Sequence, residues 1–156
     1  LKRTLVRMLI CCVIALLFCI TGNAKVPYIP KIINYSVSDY KAGNQNWAVS
    51  QGPGGKMYIG NNRGLLVFDG IHWDLVKLPN NLGVRALYIS KDGRIYVGSF
   101  EEFGYFEMDD ENDLIYHSLS SSEMNVYLNN DEFWTINEYK GEIYFYSFIV
   151  IFIDDG

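Results

Sequence analysis

Few side chains of this 156-residue sequence have the types and spacing that carry out chemistry. The two histidines, His72 and His117, each fall in a predicted outer strand, without a cysteine or acidic residue at metal-ligand spacing. Segment 109–113, Asp-Asp-Glu-Asn-Asp, is rich in the oxygens that calcium prefers but lacks the glycine and distal glutamate of an EF-hand loop. No nucleophile elbow, P-loop or dinucleotide fingerprint is present. The sequence therefore predicts no enzyme, no metal site and no cofactor in this segment.

Three tryptophans, Trp47, Trp73 and Trp134, are the aromatic candidates for stacking on a sugar. Trp47 and Trp134 occupy the same position of an internal repeat. This regularity favours packing in the core, because large aromatic rings dominate core burial. Trp73 follows a histidine in a predicted outer strand, where we expect it to be more open.

The internal repeat is the element that must position these side chains. Segment Trp47–Gly70 contains short apolar runs separated by glycine turns, and similar runs follow at 85–106 and 133–156. The matching tyrosines, 38 and 48 residues apart, are Tyr58, Tyr96 and Tyr144. Self-similarity at about 40 residues, with about four strands in each unit, is typical of β-propeller blades.

The strands around these tyrosines read as almost continuous apolar runs, which indicates burial on both faces. No stretch after residue 24 has apolar residues at helical spacing over a dozen positions. The sequence therefore predicts an all-β fold: a partial β-propeller of about three four-stranded antiparallel blades, preceded by a signal-peptide helix. The predicted segments are a signal peptide at 1–24, a lead-in at 25–44, blades at 45–83 and 84–130, and an incomplete blade at 131–156.

The N-terminal segment has the features of a secretory signal peptide. Basic residues precede an uncharged apolar run of 13 residues, Met8–Ile20, and the small residues Gly22 and Ala24 follow at cleavage spacing. The alternative is a membrane anchor, but the run is shorter than the roughly 20 residues that span a bilayer. All three cysteines lie within this segment, so the exported part is expected to fold without disulfides.

The charge of the chain bears on its partners. The net charge is −5, and residues 1–24 carry three of the 13 basic residues and no acidic one, which leaves about −8 for the remainder. This balance argues against a nucleic-acid surface.

Because closure of a propeller needs roughly four to eight blades, we expect the chain to be the front of a longer protein or a truncated product. The remaining blades are then its expected partners.

Loops after the second strand of each blade lie at the same end of a propeller, where a ligand would bind at the mouth of the central channel. These loops carry the candidate ligand-binding residues Arg63, Phe100, Glu101 and Glu102. The alternative interpretation is that they are solvated loop residues.

The repeat resembles the two-component regulator propeller repeat. Its pattern appears at Gly55–Gly60 and Gly64–Gly70, returns at Asp92–Gly98, and is looser at Gly141–Phe145, so that the resemblance covers about residues 45–156. The resemblance implies a long bacterial sensor whose exported propellers precede a triple-tyrosine β-sandwich, one membrane helix, and a histidine kinase or helix-turn-helix output. Many such sensors respond to carbohydrate fragments. Ser147–Val150 departs from the pattern, where a glycine is expected.

We therefore expect an exported, periplasmic, ligand-sensing propeller segment of a bacterial signal-transduction regulator. The resemblance implies an oligosaccharide ligand, a parent protein anchored in the inner membrane, and a homodimer of the full-length protein. One alternative is the N-terminal part of an exported propeller glycosidase or polysaccharide lyase, for which Glu101 and Glu102 would begin a carboxylate pair. The other alternative is a non-catalytic scaffold for protein contacts.

Overall fold

The computed structural model describes residues 2–10 and 30–155, which belong to two compact units, Leu1–Asn34 and Tyr35–Gly156. In the first unit, residues 2–10 are helical (α1) and residues 30–34 have no regular structure. Most of the predicted signal peptide, residues 11–24, lies outside the described residues. Among the residues that are described, no helix is long and apolar enough to cross a membrane.

The second unit is built from three antiparallel sheets, and the all-β prediction is confirmed. The first sheet contains β1 Asn46–Gln51, β2 Met57–Asn61, β3 Gly64–Phe68 and β4 Trp73–Val76. The second contains β5 Ala86–Ile89, β6 Ile95–Gly98, β7 Phe103–Met108 and β8 Leu114–Ser118. The third contains β9 Thr135–Tyr139, β10 Glu142–Tyr146 and β11 Ile151–Asp154. Two four-residue helices complete the unit, α2 Val37–Tyr40 and α3 Asn125–Leu128.

Strands that are consecutive in sequence are neighbours in each sheet, because short turns join them. Glycine supplies the turn geometry where the sequence predicted it. Gly70 and Gly93 have φ values of 102° and 95°, a region that other residues rarely adopt. Each sheet is therefore a simple up-and-down ribbon whose register follows from its turns.

The three repeat tyrosines occupy equivalent places on the second strand of each sheet. Tyr58 lies opposite Ser50 and Val67. Tyr96 lies opposite Tyr88 and Tyr105, and Tyr144 lies opposite Asn137 and Ile153. Residues directly opposite each other in an antiparallel sheet share a face, so each tyrosine marks the same face of its sheet.

The tyrosine face of the first sheet packs on the second sheet, and that of the second sheet packs on the third. Tyr58 is 3% exposed and Tyr96 is 4% exposed. The cluster between the first two sheets contains Tyr58, Leu65, Val67, Leu78, Val84, Ile95, Val97 and Phe106. The cluster between the second and third contains Ala86, Tyr96, Phe103, Leu128, Phe133, Ile136, Ile143 and Phe145. The prediction that middle strands are buried by neighbouring sheets holds for these two interfaces.

Glycine marks the points where one sheet approaches the next most closely. A Cβ at Gly60 would lie 2.9 Å from the carbonyl oxygen of Val84, and a Cβ at Gly98 would lie 2.6 Å from the Cβ of Phe133. Carbon atoms need more room than this. The equivalent residue of the third sheet is Tyr146, which is half-buried and lies on the tyrosine face that is open in the part of the chain described.

The opposite face of the first sheet is covered by residues 35–44, the part of the lead-in segment that belongs to this unit. Tyr40 and Ala42 pack with Ile59 and Leu66 in a third apolar cluster, with Trp73 at its edge. The indole of Trp73 also stacks on Phe68, with ring centroids 4.3 Å apart. The prediction that Trp73 would be the more open tryptophan is therefore wrong, because the lead-in segment packs over it.

Candidate functional site

One repeat position brings together the side chains that are best suited to ligand binding. Ala48 pairs with Gly60 and Ala86 pairs with Gly98, so the residues just before them, Trp47 and Arg85, are equivalent. Trp134 is the third member, because Thr135 pairs with Tyr146, two residues after Tyr144. All three stand where the first strand of a sheet begins, at the same end of the three sheets.

The three equivalent side chains form one contact group. The Trp47 and Trp134 rings meet edge to face with centroids 5.8 Å apart. The Arg85 guanidinium lies over the Trp47 ring, 4.5 Å from its centroid, at cation–π distance. Phe148 extends the aromatic row, with its ring 5.7 Å from that of Trp134.

Two polar residues fix this group. Asn62 Oδ1 accepts hydrogen bonds from Trp47 Nε1 and from Arg85 Nη1, both at 2.6 Å. Arg85 Nε donates to Glu132 Oε1 at 3.3 Å. We call these five residues (Trp47, Asn62, Arg85, Glu132 and Trp134) the tryptophan–arginine cluster.

The indoles of this cluster remain accessible to solvent. Trp47 is 40% exposed, Trp134 is 37% exposed and Phe148 is 81% exposed. The prediction that Trp47 and Trp134 are core residues is therefore wrong, although the prediction that they share a repeat position is confirmed. Their rings pack on each other and on Arg85 at the end of the sheets instead of entering an interface between sheets. Exposed aromatic rings held by polar partners are a common composition for a ligand site.

A buried carboxylate organises the loop that carries Phe148. Asp131 is 2% exposed and accepts hydrogen bonds from the backbone N–H groups of Phe148 and Ile149, at 3.3 and 3.2 Å, and from that of Glu132. Burial would raise the pKa of Asp131, but hydrogen bonds from Ser147 and these three amides outweigh it and lower the pKa. The ionised carboxylate therefore holds both the Phe148 loop and the segment that carries Glu132.

Asp131→Asn is expected to destabilise the protein at neutral pH by about 1–3 kcal/mol, because amide groups lose a charged acceptor. The folded-state pKa is depressed, so the contribution is present above the unfolded-state pKa and disappears as pH falls through the folded-state pKa. Urea unfolding should be measured from neutral pH to the lowest pH at which the protein stays folded. If the free energies of unfolding of the wild type and the variant changed with pH in parallel, Asp131 would not stabilise the loop through its charge.

The four residues predicted from the loops lie at the same end of the sheets, but they are not brought into one site. Arg63 is exposed in the turn between β2 and β3, and its backbone N–H donates to Asn61 Oδ1 at 3.0 Å. Phe100 is 38% exposed and forms an isolated bridge with Glu132, which places it near the tryptophan–arginine cluster through its backbone.

The two predicted glutamates hold loops together. Glu101 Oε1 accepts from the backbone N–H of Asn130 at 2.7 Å, and the Glu101 N–H donates to the carbonyl of Asp131. Glu102 accepts from three hydroxyl groups at 2.7–2.8 Å, those of Tyr116, Ser118 and Ser120. The pKa of Tyr116 is raised, mainly because the hydroxyl is buried, and further because of the charge of Glu102 and the hydrogen bond to it. The Tyr116 hydroxyl therefore remains a donor. Hydrogen bonds from the protein thus engage both carboxylate oxygens of Glu102 and Oε1 of Glu101.

Sequence reasoning missed Arg85, Asn62 and Glu132. The alignment of the repeats carried a signal for Arg85, because it stands in register with Trp47 and Trp134. Asn62 and Glu132 had no such signal, since their contacts join residues 23 and 47 positions apart.

Other groups that could do chemistry have local partners. His72 Nδ1 lies 3.3 Å from Asp69, and His117 Nε2 lies 4.0 Å from Glu107. Within residues 2–10 and 30–155, no three His, Cys, Asp or Glu side chains are grouped so that they could hold a metal ion. The 109–113 segment is a hairpin tip in which Asp109 Oδ1 accepts hydrogen bonds from the backbone N–H groups of Glu111 and Asp113.

A cleft of about 460 Å³ lies at the opposite end of the first two sheets. Its charged lining residues are Lys56, Asp92, Arg94 and Glu107. Arg94 lies 3.9 Å from Asp92 and 3.7 Å from Glu107. Because these charges largely offset one another, the cleft offers a ligand less than the exposed aromatic rings do.

Comparisons with known proteins give little further information. No family model matches the chain, and no curated protein matches it. One solved structure that the chain is similar to is the extracellular domain of a B. thetaiotaomicron protein described as a one-component system. The likeness has 13% sequence identity and a TM-score of 0.45, and it covers 80% of this chain and 23% of that one. At these values it assigns neither a family nor a function.

Proposed function

We propose that the three sheets are consecutive blades of an exported β-propeller, and that this propeller senses a carbohydrate-type ligand for a bacterial signal-transduction regulator. The blade arrangement is supported by the equivalent registers of Tyr58, Tyr96 and Tyr144 and by the burial of the first two against the next sheet. Export to the periplasm rests on the signal-peptide pattern of residues 1–24, and anchorage of the parent protein rests on the resemblance of the repeat to the two-component regulator propeller repeat.

The proposed arrangement also gives the third sheet a partner. Tyr139, Ile151 and Ile153 are 62%, 57% and 57% exposed. Exposed apolar faces of this kind usually mark an interaction surface. We propose that a further blade of a longer chain covers this face, as the second and third sheets cover the equivalent faces before it.

The observation that carries the ligand proposal is the exposure of two equivalent tryptophans around Arg85. Apolar packing closes the two interfaces between the sheets, yet Trp47 and Trp134 keep 40% and 37% of their surfaces open. The hydrogen bond from Trp47 to Asn62 and the edge-to-face contact between Trp47 and Trp134 fix the rings before a ligand arrives, which lowers the entropic cost of binding. An aromatic surface with adjacent polar side chains suits the apolar faces and hydroxyl groups of a pyranose.

The hydrogen bonds of the predicted glutamates support binding without catalysis. A glycosidase needs two carboxyl groups that flank the scissile bond. Glu101 and Glu102 instead accept hydrogen bonds from a backbone amide and from hydroxyl groups of the protein. The negative net charge supports the proposal that this segment does not bind nucleic acid.

Trp47→Ala and Trp134→Ala are each expected to weaken sugar binding by about 2 kcal/mol or more, roughly 30-fold, because each removes an exposed stacking surface. Binding of cello-, manno-, xylo- and galacto-oligosaccharides can be followed by tryptophan fluorescence and calorimetry. Trp73→Phe is the matched control, because Trp73 packs on Phe68 away from the cluster. Absence of binding to every sugar, or wild-type affinity in both alanine variants, would overturn the proposal.

A further inference from the structure

We propose that Arg85 and Glu132 form a donor–acceptor pair that selects neutral sugars over acidic ones at the tryptophan–arginine cluster. This inference rests on the proposed function, and it adds the chemical class of the ligand. Arg85 and Glu132 side chains are 21% and 23% exposed, and they are joined through Nε and Oε1 at 3.3 Å. The pair is thus held in place by the protein and still reaches solvent.

Arg85 keeps donors available for a ligand. Its guanidinium carries five N–H groups. Its hydrogen bonds within the described part of the chain use Nε, toward Glu132, and Nη1, toward Asn62. Nη2 has no acceptor among those residues, and the contact of the guanidinium with the Trp47 ring, at 4.5 Å from Cζ to the ring centroid, places it beside the aromatic surface.

Glu132 keeps an acceptor available beside these donors. Oε1 receives the Arg85 hydrogen bond, and Oε2 has no donor among the residues that the structure describes. A free donor and a free acceptor therefore stand next to each other at the edge of the aromatic surface. A hydroxyl group donates one hydrogen bond and accepts others, so two adjacent hydroxyl groups of a pyranose match both partners at once.

The electrostatics of this pair disfavour an acidic ligand. Arg85 and Glu132 offset each other, which leaves the pair without net charge. A carboxylate bound to Nη2 would lie near the Glu132 carboxylate, and like charges at short range repel. The chain as a whole carries −5, and this field opposes the approach of an anion. A neutral sugar meets neither penalty.

The test compares matched sugars on the wild-type protein. The probes are cello-, manno- and galactotetraose, each paired with the counterpart in which the C6 hydroxyl groups are oxidised to carboxylates. For the pair that binds, we expect the neutral sugar to bind about tenfold or more tightly than its oxidised counterpart. An acidic member that binds equally or more tightly would overturn the inference and leave the site intact. If neither member of any pair bound, the proposed function itself, sensing of a carbohydrate-type ligand, would be contradicted.

A matched pair of variants separates local from global charge. Glu132→Gln removes the charge next to Arg85, and we expect the preference for neutral sugar to fall about tenfold. Glu111→Gln makes the same change in the exposed 109–113 hairpin, and we expect the ratio of the two affinities to stay as in the wild type. If both variants change the ratio equally, the selection comes from the net charge of the chain and the role of Glu132 is wrong.

Discussion

Phe145→Ala is expected to lower the free energy of unfolding by about 3–5 kcal/mol, because it removes a large and fully buried aromatic ring. Phe145 is 0% exposed, and its ring lies 4.8 Å from that of Phe103 and 6.0 Å from that of Tyr96. Truncation leaves a cavity between the second and third sheets that rigid strands on both sides cannot close. Urea unfolding followed by fluorescence and circular dichroism measures the loss.

Phe148→Ala is the matched control for this prediction. The same ring is removed three residues further along the chain, but it is 81% exposed, so a change within about 0.5 kcal/mol is expected. Equal losses in the two variants would contradict the packing of the third sheet on the second. A small loss for Phe145→Ala would have the same meaning.

Asn61→Leu is expected to lower the free energy of unfolding by about 3–5 kcal/mol, because it leaves several polar groups of the backbone without partners. Asn61 is 0% exposed. Its Nδ2 donates to the carbonyls of Gly43 and Gln45 and to Asn46, and its Oδ1 accepts from the N–H groups of Gly43 and Arg63. A leucine of similar size fills the space but restores none of these bonds. Equilibrium urea unfolding of the variant measures the loss.

Two further variants sharpen this test. Asn137→Leu makes the same change at an exposed position of β9, and a change within about 0.5 kcal/mol is expected. Asn61→Asp turns the amide donor into a carboxylate oxygen that faces three acceptors. Its deficit should shrink at low pH, when protonation restores one donor. If Asn61→Leu is as stable as Asn137→Leu, the hydrogen bonds of Asn61 do not anchor the lead-in segment.

The repeat pattern was sufficient to predict the strands, because turn residues and apolar runs are local properties of the chain. The repeat segments 47–70, 85–106 and 133–156 supply β1–β3, β5–β7 and β9–β11, the first three strands of the three sheets. The register of the tyrosines also followed, since glycine turns of fixed length determine which residues pair. Blade boundaries and closure of a propeller stay predictions.

Ligand binding at the loops after the second strands stays a prediction. The loops after the second strands do lie at the end of the sheets where the tryptophan–arginine cluster forms. The residues proposed from those loops were judged by charge and loop position, and neither property shows which partners a side chain finds. Glu102 illustrates the difference, because it accepts hydrogen bonds from three hydroxyl groups of β8 and the segment after it.

The sequence by itself determined the strands, their order and the shared repeat position of Trp47 and Trp134, because each depends on spacing along the chain. The same spacing places Arg85 in register with the two tryptophans, which sequence reasoning missed. Only the tertiary structure decided that these side chains stay exposed and meet. Their contacts with Asn62 and Glu132 depend on how three sheets stack, and stacking is set by packing volume at positions such as Gly60 and Gly98. Periodicity specifies which face of a strand is buried, whereas the meeting of side chains at the ends of sheets is specified by the distance and angle between sheets.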